Sequence, residues 1–483
     1  MLCIVTALTR CAFRSHYLYD IDSVNFALAL GRFDPAVHQP HPPGYFLYVL
    51  LGRLLNGVMH DPNTTFVAIS IAASCGAAAV IALLTREWFG IQAARWAGLL
   101  FVFSPLVWFH GTVALTYIVE AFFSALTGYL CWKKSVGRGG FVLGLAAGFR
   151  PSSLLFLGPL WLFSLRGATR RRQLQSAAVL AVTILAWAVP MILLSGGASA
   201  WLSSLASLWN TVPGKTTVVN SSIANSVARL LTICLIYCLC FGSAAALPFV
   251  KRSNNLRAAV PGLRLFTLIW ILPGLLFFAF VFLKFVNSGY LLVVSPPAFA
   301  WLGFLASTRA DFSSRPMRLA LTGVCLGVNT LIFLFAPFYC SRSATRQFER
   351  ELAGVLTALP KVASSRDTLI VGLDSHFMGY RHAAFYLPDY ETIEYPRVRL
   401  GSGWRVFTDK NRDTTLQETP NLAPYARFIF FPLPRDGSGY GAYMHDIESK
   451  FAPGELRHVT VDGRVFVTGP VTSLPLLFAG KDR

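Results

Sequence analysis

A chain of 483 residues has room for several soluble domains, but 54% hydrophobic and only 13% charged residues exclude a purely soluble protein, in which about a quarter of residues are charged. The formal charge of +19 is scattered over short connections between apolar runs, a pattern that sets membrane topology and argues against nucleic-acid binding. All nine cysteines lie between Cys3 and Cys340, nearly all in apolar runs and without a C-x-x-C pair, so they read as small packing residues and not as a disulfide framework.

The residues before Arg14 are too few for a full span and lack the basic start and cleavage site of a signal peptide. The natural start is expected upstream. Residues 15–63 follow as a first loop that is unusually polar for this chain. It carries Asp20 and Asp22, then His38 and His41, then Pro42 and Pro43. Two acids at spacing two in extended chain point to one side. They could hold a divalent cation, the only cofactor this sequence suggests, or divide into a base and a helper. They are equally readable as solvated acids or caps, with Asp22 or Ser23 starting a helix over 24–30. His38 and His41 suit a metal or a phosphate, or are simply interfacial polar residues beside a rigid turn. Residues 44–59 read as a helix lying in the membrane interface, with Tyr45, Phe46 and Tyr48 at headgroup depth and Arg53 reaching water.

Apolar runs at 66–84, 174–194, 223–250, 265–283, 290–306 and 319–337 approach or exceed the roughly 18 residues of a membrane span. Cations gather in five loops: Arg86 and Arg95; Lys133, Lys134 and Arg138; Arg166 and Arg170 to Arg172; Lys251, Arg252, Arg257 and Arg264; Arg309, Arg315 and Arg318. Placing these in the cytoplasm puts the first loop and the tail outside. Glu120 sits about one turn inside a membrane helix, where an ionised group needs a cavity or a partner. Between Lys134 and Arg166 both ends are cytoplasmic, yet two full spans need about 40 residues. A shallow hairpin, 140–149 and 152–165, is expected to turn at Pro151. Its apex carries Arg150, whose anion is Glu120 or, the preferred reading, a lipid phosphate. Lys284 ends a span on the outer side, by snorkelling or as a phosphate contact.

Beyond about residue 340 the composition turns soluble. "DTLIVGLDSH" and "ARFIFFPLP" read as strands, and "LRHVTVDGRVFVTGP" as a hairpin turning at Asp462 and Gly463. With helices at 343–359 and near 443–451 this makes a small α/β domain. It shows no nucleophile–base pair beyond the Asp374-Ser375-His376 triplet, and is expected to shape the acceptor entrance. The division expected is 1–339, a polytopic helical bundle of about eleven membrane helices with the short hairpin, and 340–483, an extracytoplasmic α/β domain.

No Walker loop, GxGxxG or Ser-His-Asp order is present. The opening stretch "DSVNFALALGRFDPAVHQPHPPGYFLYVLLGRLL" resembles the first outer loop of the GT-C membrane glycosyltransferases. The likeness is to the branch with an Asp-Ser start and a His-Pro-Pro-Gly-Tyr turn, which includes protein O-mannosyltransferases and aminoarabinose transferases. Asp22 and Ser23 match the start, and His41 to Tyr45 match the turn. Ser23 stands where many members carry Glu, and Phe46 where that branch often has proline. The later stretches "TREWFG", "GLAAGFRPSSLLFLGPL" and "GYLLVVSPPAFAWLGF" fit more loosely. The resemblance implies an inverting hexosyltransferase in a bacterial cytoplasmic membrane. It would use a polyprenyl-phosphate sugar and a glycan, lipid or protein acceptor, in contact with membrane lipid. It makes Asp22 the base and Asp20 its neighbour or a metal ligand. His38, His41, Tyr45, Glu120, Arg150, Lys284 and Tyr290 are then candidate substrate contacts. The rival readings are a transporter, a flippase or ligase of lipid-linked saccharides, and a non-catalytic scaffold.

Overall fold

A bilayer core about 30 Å thick demands roughly 20 apolar helical residues. In the computed structural model four helices are long and apolar enough: Pro62–Phe89, Arg170–Leu194, Ile223–Pro248 and Leu263–Phe280. A fifth follows if the pair Phe285–Val293 and Ser295–Ser307, bent by 73°, is one broken span. The chain is thus a polytopic, mostly helical membrane protein. Among the described residues the other apolar helices are shorter, including Leu2–Phe13, Phe46–Met59, Ile91–Val102 and the two arms of the hairpin. The structure describes residues 1–211, 216–249, 261–308, 315–373, 375–395, 404–408, 412–416, 422–432, 444–445 and 447–477.

Two units form: Met1–Ser15 with Pro42–Thr345, and His16–His41 with Arg346–Arg483. This departs from the expected division. The second break falls close to residue 340, but residues 16–41 belong with the C-terminal unit and not with the bundle.

In the first unit, Arg170–Leu194 leaves Leu174, Val182, Leu185 and Leu193 exposed, an apolar face suited to lipid. Inside, Trp88, Phe266 and Trp270 meet edge-on. The Trp270 Nε1–H donates to Ser124 Oγ at 2.9 Å, so a large ring is buried with its polar atom satisfied. The expected hairpin is present as Val136–Phe149 and Ser152–Ser164. Arg150 between them is extended at φ −153° and ψ 103°, as a residue before proline prefers. The helix expected at 44–59 runs Phe46–Met59.

The second unit is built on a seven-stranded sheet: β1 Thr368–Leu373, β2 Thr392–Tyr395, β3 Trp404–Thr408, β4 Arg412–Leu416, β5 Arg427–Phe430, β6 Arg457–Val461 and β7 Arg464–Pro470, in the order β4-β3-β2-β1-β5-β7-β6. β1 pairs in parallel with β2 and β5; the outer pairings are antiparallel. All six residues of β1 are buried, which is why "TLIVGL" reads as an unbroken apolar run. Leu369, Val371, Phe428, Phe430 and Val467 form its core with Ile447 and Phe451. The β6–β7 turn is the expected one, with Asp462 at φ 51° and Gly463 at φ 73°, the left-handed pair that a two-residue hairpin requires. The expected helix at 343–359 runs Arg342–Val362. The β1–β2 crossover contains the short helix Tyr380–Tyr386.

Candidate functional site

The acids lie in the second unit. The helix expected from Val24 starts earlier, at Ile21, and Asp20 is its cap. Asp20 Oδ1 accepts the Asp22 N–H at 2.9 Å, the ordinary use of aspartate there. Its Oδ2 lies 3.6 Å from His376 Nδ1. Burial pushes the Asp20 carboxyl above its usual range, with His376 opposing. Asp22, in the first turn, faces elsewhere: its Oδ1 is 3.2 Å from His41 Nδ1. The Asp22 side chain is 23% exposed and that of Asp20 only 8%. Asp22 is therefore the more accessible carboxylate, while Asp20 is committed to the helix start. The positive end of the helix dipole favours both as anions.

One expectation changes here. Asp20 and Asp22 do not act as one same-side pair, because the helix begins between them and turns their side chains to different histidines. His38 ends the short 3-10 turn Pro35–Val37 in the left-handed region, at φ 61°. Asp34 and Gln39 bridge that turn. Among the described residues no group of three or more His, Cys, Asp or Glu side chains could hold a metal ion.

The sequence gives His376 only as part of the Asp374-Ser375-His376 triplet. Asp374 lies outside the described residues, but His376 reaches Asp20. Leu18 N–H donates to the Tyr386 hydroxyl at 2.7 Å, and Arg381 Nη2 donates to the Val37 carbonyl at 2.8 Å. These tail residues have no local pattern that ties them to the first loop. Contacts of this kind, more than 340 residues apart along the chain, are decided by the fold.

The cationic candidates lie in the first unit. Arg150 Nε is 2.9 Å from Glu120 Oε2, with side chains 5% and 0% exposed. Arg150 Nη1 donates to Thr116 Oγ1 at 2.7 Å. Ser152 and Ser153 hydroxyls donate to Glu120 Oε1 at 3.0 and 3.2 Å. The guanidinium carbon lies 4.4 Å from the Tyr117 ring centre, 4.3 Å from Tyr290 and 5.7 Å from Tyr45, within cation–π range. Tyr45 is at φ 46° where it caps Phe46–Met59. The anion paired with Arg150 in this structure is Glu120, the other of the two partners the sequence offers, which the helix Tyr117–Trp132 presents from its first turn. Tyr45, Glu120, Arg150 and Tyr290 come together, joined by Thr116 and Tyr117, which the sequence did not mark. Lys284 is exposed and precedes the helical turn Phe285–Val293.

No protein-family model matches the sequence, and no curated protein does. Solved structures do. ArnT from Cupriavidus metallidurans, bound to undecaprenyl phosphate, is similar over 97% of this chain and 96% of its own, with 12% identity and a TM-score of 0.57. Its apo form is similar over 98% and 96%, at 12% identity and a TM-score of 0.55. The chain has the ArnT fold. ArnT is a GT-C protein, so the resemblance read from the first loop holds at the level of architecture, over the tail as well as the bundle. The oligosaccharyltransferase of Archaeoglobus fulgidus is a weaker match, with a TM-score of 0.42 over 82% of this chain and 63% of its own, at 12% identity.

Proposed function

We propose that this chain is a membrane glycosyltransferase. It moves a sugar from a polyprenyl-phosphate donor to the hydroxyl of an acceptor outside the cytoplasm, with inversion. The observation that carries this reading is Asp22: a partly open carboxylate paired with His41 at a helix start, in a first loop of GT-C type, on a fold shared with a protein solved with undecaprenyl phosphate. Asp22 takes the proton of the acceptor hydroxyl. The oxygen attacks the anomeric carbon from the face opposite the phosphate. The carbon–oxygen bond to phosphate breaks, and the lipid phosphate leaves with the electron pair. His41 holds the Asp22 carboxylate in one orientation.

The membrane proposed is a bacterial cytoplasmic membrane with the tail outside, from the five cationic loops. A C-terminal reporter active only in the cytoplasm would overturn that orientation. The reaction is tested with purified protein, a radiolabelled polyprenyl-phosphate hexose and a membrane extract as acceptor source. Removing a general base costs about 10²–10⁴-fold, so Asp22→Asn is expected to lose transfer by that factor at normal abundance. Wild-type transfer by Asp22→Asn would sink the assignment. A flippase or transporter would move the carrier and leave the sugar–phosphate bond intact, which the same assay reads directly.

A further inference from the structure

The first N–H groups of an α-helix have no partner within it. In Ile21–Gly31 the Asp22 N–H is covered by Asp20, and the Ile21 N–H donates to the His376 carbonyl at 2.8 Å. His376 therefore meets this helix start twice, through its carbonyl and through the ring that faces Asp20 Oδ2 at 3.6 Å. The chain on either side is pinned to the same unit. His16 N–H donates to Glu349 Oε1 at 2.8 Å, Leu18 N–H to the Tyr386 hydroxyl, and the Val37 carbonyl accepts from Arg381. Arg381 is 1% exposed, so this anchor is buried and its register fixed by packing.

We propose that His376 is a positioning residue for the transfer reaction. It fixes the first turn of Ile21–Gly31 and so aims the Asp22 carboxylate at the acceptor hydroxyl. This rests on the glycosyltransferase reading with Asp22 as base. A base works only within hydrogen-bond reach of the proton it takes, and a misplacement of about 1 Å costs about 100-fold in rate. Asp20 transmits the effect. It caps Asp22 with one oxygen and meets the His376 ring with the other, so losing the ring frees the cap to rotate away. The His376 side chain is 41% exposed, so its removal opens no cavity in the core.

The test uses His376→Ala and His376→Asn in the full chain, with Asp22→Asn alongside. Three readouts are taken: amide hydrogen exchange over residues 21–24, binding of undecaprenyl phosphate, and turnover of a radiolabelled polyprenyl-phosphate hexose. His376→Ala is expected to exchange about tenfold faster at those amides and to lose about 10- to 100-fold in kcat, with undecaprenyl phosphate affinity unchanged. His376→Asn, whose side-chain N–H stands near the position of the ring Nδ1, is expected to recover most of both. Unchanged exchange or unchanged kcat in His376→Ala overturns the proposal. So does a loss of undecaprenyl phosphate affinity as large as the loss of turnover, or an absence of recovery in His376→Asn. Failure of the underlying reading has a separate signature: Asp22→Asn then transfers sugar at the wild-type rate, while the exchange measurement, which needs no substrate, still decides what His376 does to the helix start.

Discussion

Replacing Arg150 by alanine strands a carboxylate. Glu120 has a fully buried side chain and would keep only the Ser152 and Ser153 hydroxyls. At the Arg150–Glu120 separation of 2.9 Å and an effective dielectric constant of about 20, the direct attraction is ~6 kcal/mol. Desolvation of both ions offsets most of that, but removing one partner leaves the other's cost uncompensated, typically about 3–5 kcal/mol. Contacts of the guanidinium with Tyr117 and Tyr290 are lost as well. Arg150→Ala is expected to destabilise the bundle by that amount. Arg150→Ala with Glu120→Ala is expected to recover much of it, with a coupling of about 2–3 kcal/mol in the double-mutant cycle. Arg150→Lys keeps a charge but not the planar group between the two rings, and falls between. The assay is thermal unfolding of detergent-purified protein followed by the rise of thiol-dye labelling above the background of the exposed Cys3, Cys11, Cys234 and Cys238, since Cys131, Cys240 and Cys340 are buried until the bundle opens. Additive effects in the cycle would refute the reasoning. So would an Arg150→Ala protein of wild-type stability that no longer binds undecaprenyl phosphate, which would return Arg150 to the phosphate.

Gly128→Ala is expected to destabilise by about 1–3 kcal/mol, because a Cβ there meets the buried Trp270 ring. The same unfolding assay reads it, and Trp270→Phe in the same chain should relieve part of the loss. Burial pushes the His382 ring down to about 4, the Leu18 and Tyr19 backbone opposing. The unfolded chain binds this proton more tightly, so the contribution is intact above about pH 6.5 and is lost as pH falls towards 4. Acidification across that window is expected to cost about 3 kcal/mol from this group. His382→Asn keeps an acceptor for the Gly379 N–H, now 3.3 Å from Nδ1, and should flatten the dependence; an unchanged pH profile of unfolding would show that the ring does not set it. Gly463→Val, at φ 73°, is expected to cost about 1 kcal/mol or more through left-handed strain, read as earlier proteolysis of the β6–β7 hairpin.

The sequence by itself determined what depends on local pattern. Apolar runs gave the spans at 62–89, 170–194 and 263–280 nearly to their ends, because a bilayer or a packed bundle demands uninterrupted apolar length. Pro151 broke the hairpin where a ring without an N–H must break it. The Asp462 and Gly463 pair specified its turn, and "TLIVGL" its buried strand. The acids, too, were visible as a polar island in a greasy chain. Tertiary structure alone decided their partners. Whether Asp20 and Asp22 act together or apart turned on one helix start, at Ile21 and not Val24. Whether Arg150 waits for a phosphate or is already paired turned on Glu120, thirty residues earlier and one helical turn into another helix. His376 reached Asp20 only because residues 16–41 fold with the C-terminal sheet and not with the bundle that surrounds them in sequence. Hydrophobic length and backbone sterics act over a few residues and can be read along the chain. The pairing of buried charges is settled by which elements pack together, a global minimum to which no local stretch holds the answer.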